Sequence, residues 1–344
     1  MHKPLAAASV ALVTALALAG CSGTASGEPS ADDGTIGVVA STSVYGSLAA
    51  QIGGDRVSVT SLIDSIAQDP HSYEASARDR LAVQGADLVI ENGGGYDGFM
   101  HDLLEGSEAE VVTAVEFSHD FPGNEGHDEA DAAEHDEHAH DESAEGEAAD
   151  EHGHADEEHD HDHADHEHIE GFNEHVWFDA HTMIHVIEGI AAELGELDPA
   201  GADDFAAEAS ALAAELEGIE AELETIATEH GGTGVFLTEP LSGYLAHAAG
   251  LVDHAPEGFA SAVEEGNDVA PATLLEAIET IESGEVAVLL TNAQTGGAET
   301  DRIEQTAEAA GIPIVAFTEL PEPGTSYAEW MESAVQSLYA ALSE

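Results

Sequence analysis

Between Asn124 and His168 the chain consists almost wholly of His, Asp, Glu, Ala and Gly, with no apolar periodicity. Such a stretch cannot bury enough surface to offset the entropy of ordering, so it is predicted to be disordered without a ligand. Folding is left to the sequence on either side. At 344 residues, the chain has room for two ordinary lobes, or for one large domain carrying an insertion.

The flanking sequence alternates two patterns. Short apolar runs at Ile36–Ala40, Val57–Leu62, Ala86–Ile90 and Val111–Thr113 read as buried parallel strands, and Ala-rich stretches at Ser43–Ile52 and Ala75–Gln84 read as helices between them. After the tract, structure resumes at Asn173–Asp179 and a helix runs to about Leu197 before Asp198-Pro199 breaks it. Phe205, Leu212, Leu216, Ile219, Leu223 and Ile226 then recur at helical steps, predicting one long helix over Ala202–Thr228 stopped by Gly231-Gly232. A second set follows, with strands at Val235–Thr238, Val286–Thr291 and Ile314–Phe317. Helices are expected at Leu241–Ala249, Ala272–Glu282, Thr300–Ala310 and Tyr327–Leu342. The expected architecture is α/β: two (β/α) lobes with mostly parallel sheets, joined by one long helix.

Charge narrows the function. Five Lys and Arg face 72 Asp and Glu, for a formal net charge of −67. Such a surface repels nucleic acid and anionic headgroups and attracts cations, which excludes nucleic-acid binding; adaptation to a saline habitat would produce the same excess. Residues 1–20 read as a lipoprotein signal peptide: Leu5–Leu18 is apolar but too short to span a bilayer, and Leu18-Ala19-Gly20-Cys21 resembles a lipobox. Cys21, the chain's single cysteine, is the expected lipidation site, and residues 21–34 form a flexible tether. The remaining divisions are an N-terminal lobe over 35–200 that includes the tract 124–168, a linking helix over 201–230 and a C-terminal lobe over 231–344. The expected protein is a monomer held at the outer face of the cell membrane by its lipid anchor.

The tract is also the strongest chemical signal. It carries His127, His135, His138, His140, His152, His154, His159, His161, His163, His166 and His168. Imidazole is the commonest nitrogen ligand for zinc and similar ions, and the recurring His-X-His spacing offers many weak, interchangeable sites rather than one fixed cage. That composition suits an auxiliary metal-collecting loop; an acidic solubilising linker is the bland alternative. A fixed site has to come from the lobes. Asp69-Pro70-His71 follows a strand, where loops meet the cleft of an α/β sheet, and His175 sits in a similar acid-then-His context. Taken alone, a His after Asp-Pro is more often structural than ligating.

Four segments together resemble the zinc/manganese-type substrate-binding lipoproteins of ABC transporters. They are Asp69-Pro70-His71-Ser72-Tyr73-Glu74, Glu174-His175-Val176-Trp177, Glu239-Pro240 with Gly243-Tyr244-Leu245, and Thr325-Ser326-Tyr327-Ala328-Glu329-Trp330-Met331. The resemblance runs from Ile36 to Leu342, and a His-rich insertion before the second segment is a mark of zinc-type members. It implies one long rigid helix between the lobes and a metal in the interlobe cleft, held by His71, His175, Glu239 and Glu319. The third of these positions is often His in zinc-type members, and the fourth is usually Asp, so Glu319 departs from the family pattern.

The implied function is capture of a divalent metal, zinc before manganese, and its delivery to an ABC permease driven by its ATPase; the protein itself is not an enzyme. Two His and two carboxylates lean slightly toward a harder ion, whereas the tract leans toward zinc. Protonation of His71 and His175 would weaken binding in mild acid. A manganese-type binding protein of the same class and a metal-buffering surface lipoprotein are the alternatives. A metallohydrolase is disfavoured, because no His-Glu-X-X-His motif is present and four protein ligands leave no position for water. His181 and His185, one helical turn apart, read as an exposed pair. Asn292, Gln294 and Thr295 are expected to line the cleft as supporting donors.

Overall fold

The computed structural model describes residues 35–68, 70–124, 169 and 171–343. Cys21 and every His of the 127–168 tract lie outside the described residues, as do the expected signal peptide and tether. The fold begins with β1 (Ile36–Thr42), α1 (Ser43–Gly53), β2 (Val57–Ile63), α2 (Ala77–Val83), β3 (Leu88–Glu91), α3 (Phe99–Leu104) and β4 (Glu110–Thr113). These strands make a parallel sheet in the order β2-β1-β3-β4. Beyond the undescribed stretch come α4 (Ala180–Leu197) and α5 (Ala202–His230). A second parallel sheet, in the order β6-β5-β7-β8, is formed by β5 (Gly234–Leu237), β6 (Val252–Asp253), β7 (Val288–Asn292) and β8 (Ile314–Phe317). Its helices are α6 (Gly243–Ala248), α7 (Phe259–Glu264), α8 (Pro271–Glu282), α9 (Ala298–Ala310) and α10 (Tyr327–Leu342).

The strand patterns follow from position in the sheets. Interior strands β5 and β7 are buried at every residue, as expected where helices cover both faces of a parallel sheet. The edge strand β2 alternates half-buried and exposed residues over most of its length. One continuous core runs from Val38, Leu88 and Ile90 through Ile187, Ile190, Leu216 and Leu223 to Val235, Leu290 and Leu338, tying both sheets to the α4–α5 pair. A smaller core of Phe236, Phe259, Ile281, Leu289 and Ile303 fills the opposite face of the second sheet. Each fully buried Leu, Ile or Phe in these layers contributes about 1.5–3 kcal/mol.

Helix α5 is 29 residues long, hence about 43 Å from end to end. Its buried stripe of Phe205, Leu212, Leu216, Ile219, Leu223 and Ile226 packs on α4 and α10. Arg56, at the foot of the first sheet, ties the turn between α4 and α5 by pairing with Asp198 at 2.7 Å and Asp204 at 3.4 Å.

Three elements go beyond the sequence reading: α3, β6 and α7. β6 is two residues long and exposed at both, so no apolar run marks it. α3 and α7 are six residues each, too short to display helical periodicity.

Candidate metal centre

Both sheets are parallel and share one strand order, so the loops at the C-terminal ends of their strands are placed alike, and such ends are where open α/β sheets bind ligands. The first sheet sends His71 from the 3-10 turn Pro70–Ser72 after β2, Tyr96 from the loop after β3 and His175 from the segment after β4. From the second sheet come Glu239 after β5, Glu264 at the end of α7 after β6, Asn292 and Thr295 at the end of β7, and Glu319 after β8.

His71, His175 and Glu264 converge. Each offers a ligand atom, and these atoms lie within 4.8 Å of one another. The His71 and His175 ring centroids are 5.9 Å apart, and His175 Nε2 is 3.4 Å from Glu264 Oε1. His175 is buried, and its orientation is set locally: the Asn173 side-chain oxygen lies 2.8 Å from Nδ1 and accepts the His175 backbone N–H at 3.1 Å. That contact leaves Nε2 facing the cluster, the arrangement in which a ligating imidazole is aimed by a partner on its other nitrogen. Asn173 also joins the two sides, since its amide donates to the Pro240 carbonyl at 3.1 Å and its own carbonyl accepts from the Tyr244 hydroxyl at 2.8 Å.

Tyr96 forms the floor. Its ring meets His71 edge-on at 5.0 Å and Trp177 at a tilt of 53° with centroids 4.5 Å apart. Its hydroxyl donates to Glu319 Oε2 at 3.0 Å, and burial, followed by the Glu319 charge, holds that phenol well above its ordinary range. The loop carrying Tyr96 is drawn tight by Asp97, which accepts from the backbone of Asn92 at 2.7 Å and of Gly93 at 2.8 Å. Gly93 has φ of 80°, and a Cβ there would stand 2.6 Å from Thr113 Cγ2, so glycine is required for this turn.

The two expected carboxylates are buried and share a donor. Asn292 Nδ2 donates to Glu239 Oε2 and to Glu319 Oε1, each at 2.8 Å. Thr295 donates from its hydroxyl to Glu239 Oε1, and the Gln294 side-chain oxygen accepts the Glu319 backbone N–H at 2.7 Å. Of the three polar residues expected at the end of β7, Asn292 and Thr295 bond the carboxylates, and Gln294 holds the Glu319 backbone. Trp177, Tyr327 and Trp330 are packing residues; the Tyr327 hydroxyl donates to the Trp177 carbonyl at 2.6 Å.

Glu264 is the residue that sequence reasoning missed. Burial first, then the charges of Glu174, Glu239 and Glu319, push its carboxyl from 4.5 up to about 9. Carboxylates this close in a desolvated cleft repel one another, and a divalent cation among them would reverse the sign of that interaction. Only the topology points to it: Glu264 follows β6 as His71 follows β2, on equivalent strands of the two sheets.

Comparison with known proteins agrees with this architecture. The family model for the zinc-uptake complex component A, periplasmic, matches residues 38–341. The manganese-binding lipoprotein MntA of Halalkalibacterium halodurans is 27% identical over 203 residues, covering 59% of this chain and 53% of the relative. MntA of Bacillus subtilis is 29% identical over 199 residues, covering 56% and 50%. The chain therefore spans about half the length of the curated relatives it matches. Among solved structures, the periplasmic zinc-binding protein TroA from Treponema pallidum superposes with a TM-score of 0.65 at 17% identity, over 89% of this chain and 99% of that one. A mutant of the laminin-binding adhesin Lmb from Streptococcus agalactiae gives 0.64 at 19% identity, over 89% and 99%. At these identities the structural likenesses speak for the fold alone.

Proposed function

The chain belongs to the periplasmic zinc-uptake complex component A family, and from that premise we propose that it captures zinc in the cleft and delivers it to an ABC import permease served by a cytoplasmic ATPase. The observation that carries this reading is the convergence of His71, His175 and Glu264 within 4.8 Å, beside the buried Glu239 and Glu319. Two imidazole nitrogens supply the softer donors that zinc favours, and the carboxylates supply charge. His71, His175, Glu239 and Glu319 act as ligands, with Glu264 added to the set. Asn292, Thr295, Tyr96 and Asn173 hold those donors in place.

Cargo binding by itself involves no bond-making step, so the protein acts as a carrier and not as an enzyme. Cys21 carries the lipid that anchors it outside the cell membrane, and the His tract, including His135, His138, His140, His152, His154, His159, His161, His163, His166 and His168, gathers metal. The domain divisions at residues 34, 200 and 230 belong to the same reading.

Manganese is the second candidate cargo, favoured by the oxygen-rich side of the cleft and by the names of the two curated relatives. A competitive zinc and manganese titration decides between them. One tight zinc equivalent that is lost in His71→Ala and His175→Ala supports the proposal. Preference for manganese at that site moves the cargo assignment. If neither substitution changes tight binding, the cleft is not the capture site and the metal-buffer reading gains.

A further inference from the structure

Outside the cleft, a surface groove of about 610 Å³ is bordered by His119, His181, His185, Glu116 and Glu188. His181 lies in the first turn of α4 and His185 one turn further on, with ring centroids 5.0 Å apart and planes at 88°. Each ring has its own carboxylate. His181 Nδ1 is 3.5 Å from Glu220 Oε1 on α5, and His185 Nδ1 is 3.4 Å from Glu188 Oε2. A neutral imidazole that turns its Nδ1–H toward a carboxylate keeps the Nε2 lone pair available to a metal and is held in one orientation. Two histidines one helical turn apart lie on the same helix face, the spacing at which paired imidazoles hold a zinc ion in helical metal motifs.

The pair is also held still. On the inner face of the same turns, Met183, Val186 and Ile187 are fully buried, and the Asp179 side chain caps the helix by accepting from the His181 backbone at 3.2 Å and from the Thr182 hydroxyl at 2.6 Å. Little backbone freedom is then lost when a cation is bound. About half of each side chain is exposed, 46% for His181 and 47% for His185, so an ion arriving from solvent meets them directly.

We propose that His181 and His185 form a second divalent-metal site, distinct from the cleft, selective for borderline ions of the zinc, nickel and copper class. Its first donors are two nitrogens, with Glu220 and Glu188 as orienting partners and the remaining coordination positions open to water. A site of this kind discriminates against manganese, which favours oxygen ligands. It exchanges its ion readily, because only one face of the metal is held by the helix. The assignment does not depend on what the cleft carries.

The test is site-resolved, so that metal bound elsewhere on the chain does not enter. Full-length protein carrying ¹⁵N-labelled histidine is titrated with zinc, and the imidazole resonances of His181 and His185 are assigned from His181→Asn and His185→Asn. The Nε2 signals of both residues are expected to shift together, and His185→Asn is expected to abolish most of the His181 shift. Glu220→Gln is expected to weaken the zinc response of His181 by roughly tenfold, while leaving cleft binding unchanged. Manganese at the same concentration should broaden the Nε2 signals of the pair no more than those of other exposed histidines, since it is not held there. The proposal is overturned if neither Nε2 resonance responds at saturating zinc, or if each responds equally well without the other. Both positions are on the surface, and unchanged thermal unfolding of the Asn variants verifies that any lost response is local.

Discussion

The two sides of the cleft hold their donors in different ways. The first sheet contributes imidazoles, His71 and His175, set among the aromatic rings of Tyr96 and Trp177, with His175 aimed by the Asn173 amide. The second sheet contributes carboxylates, with Glu239 and Glu319 sharing one Asn292 amide and Glu264 arriving on a short helix. One side therefore supplies donor softness in a stacked aromatic setting, and the other supplies charge in a polar network. Metal preference depends on the balance between them: nitrogen donors reward zinc, whereas crowded carboxylates attract any divalent cation. On the second side Glu264 is the group under electrostatic stress, first from its burial and then from the charges of Glu174, Glu239 and Glu319.

That contrast yields tests in descending size. Removing a nitrogen donor should do most damage to zinc binding. His71→Ala or His175→Ala is expected to weaken zinc by roughly a hundredfold, since about 10–16 kcal/mol of zinc binding shared over the five proposed ligands leaves about 2–3 kcal/mol for each. Glu319→Gln, which keeps the shape and the Tyr96 contact, should weaken it less than His71→Ala does. Equal losses in competitive titration would dissolve the distinction between the two sides.

Glu264→Gln separates charge from shape. A carboxyl raised from 4.5 to about 9 on folding makes the folded state bind more protons across that interval, so metal-free stability falls as pH rises through it. Replacing it with neutral Gln should flatten that slope and raise metal-free stability near neutral pH by on the order of 2–3 kcal/mol. The same variant should bind zinc more weakly. Urea unfolding at several pH values, with and without zinc, measures both effects. A variant less stable than the parent when metal-free would show that Glu264 is not electrostatically strained.

The smallest expected effect lies one step behind the donors. Asn292→Ala removes the amide shared by Glu239 and Glu319, and loss of such a support typically weakens metal binding by about tenfold or more. Calorimetry on this variant should show the loss for zinc and manganese alike, because the carboxylates serve either ion. A loss confined to zinc would mean that Asn292 acts on the imidazole side instead.

Most of the framework could be read from the chain. The runs that became β1, β3, β5 and β7 are apolar because helices cover both faces of each sheet, and the stripe from Phe205 to Ile226 announced α5. The local context of His71 and His175, and the polar trio after β7, were also legible, since each depends on neighbours close in sequence. Glu264 was not. It stands among ordinary acids in a strongly acidic chain, and the strand that delivers it, Val252–Asp253, is exposed and without apolar pattern. The pairing of His181 with Glu220 was equally hidden, because it joins two helices whose relative rotation no local pattern specifies.

The sequence by itself thus determined the alternating strands and helices, the long connecting helix and the kinds of donor available, since those follow from periodicity and side-chain chemistry. Tertiary structure alone decided which donors meet. Parallel sheets gather loops distant in the chain at the C-terminal ends of their strands, and the separation of two ligand atoms there depends on how the lobes pack rather than on any spacing along the chain.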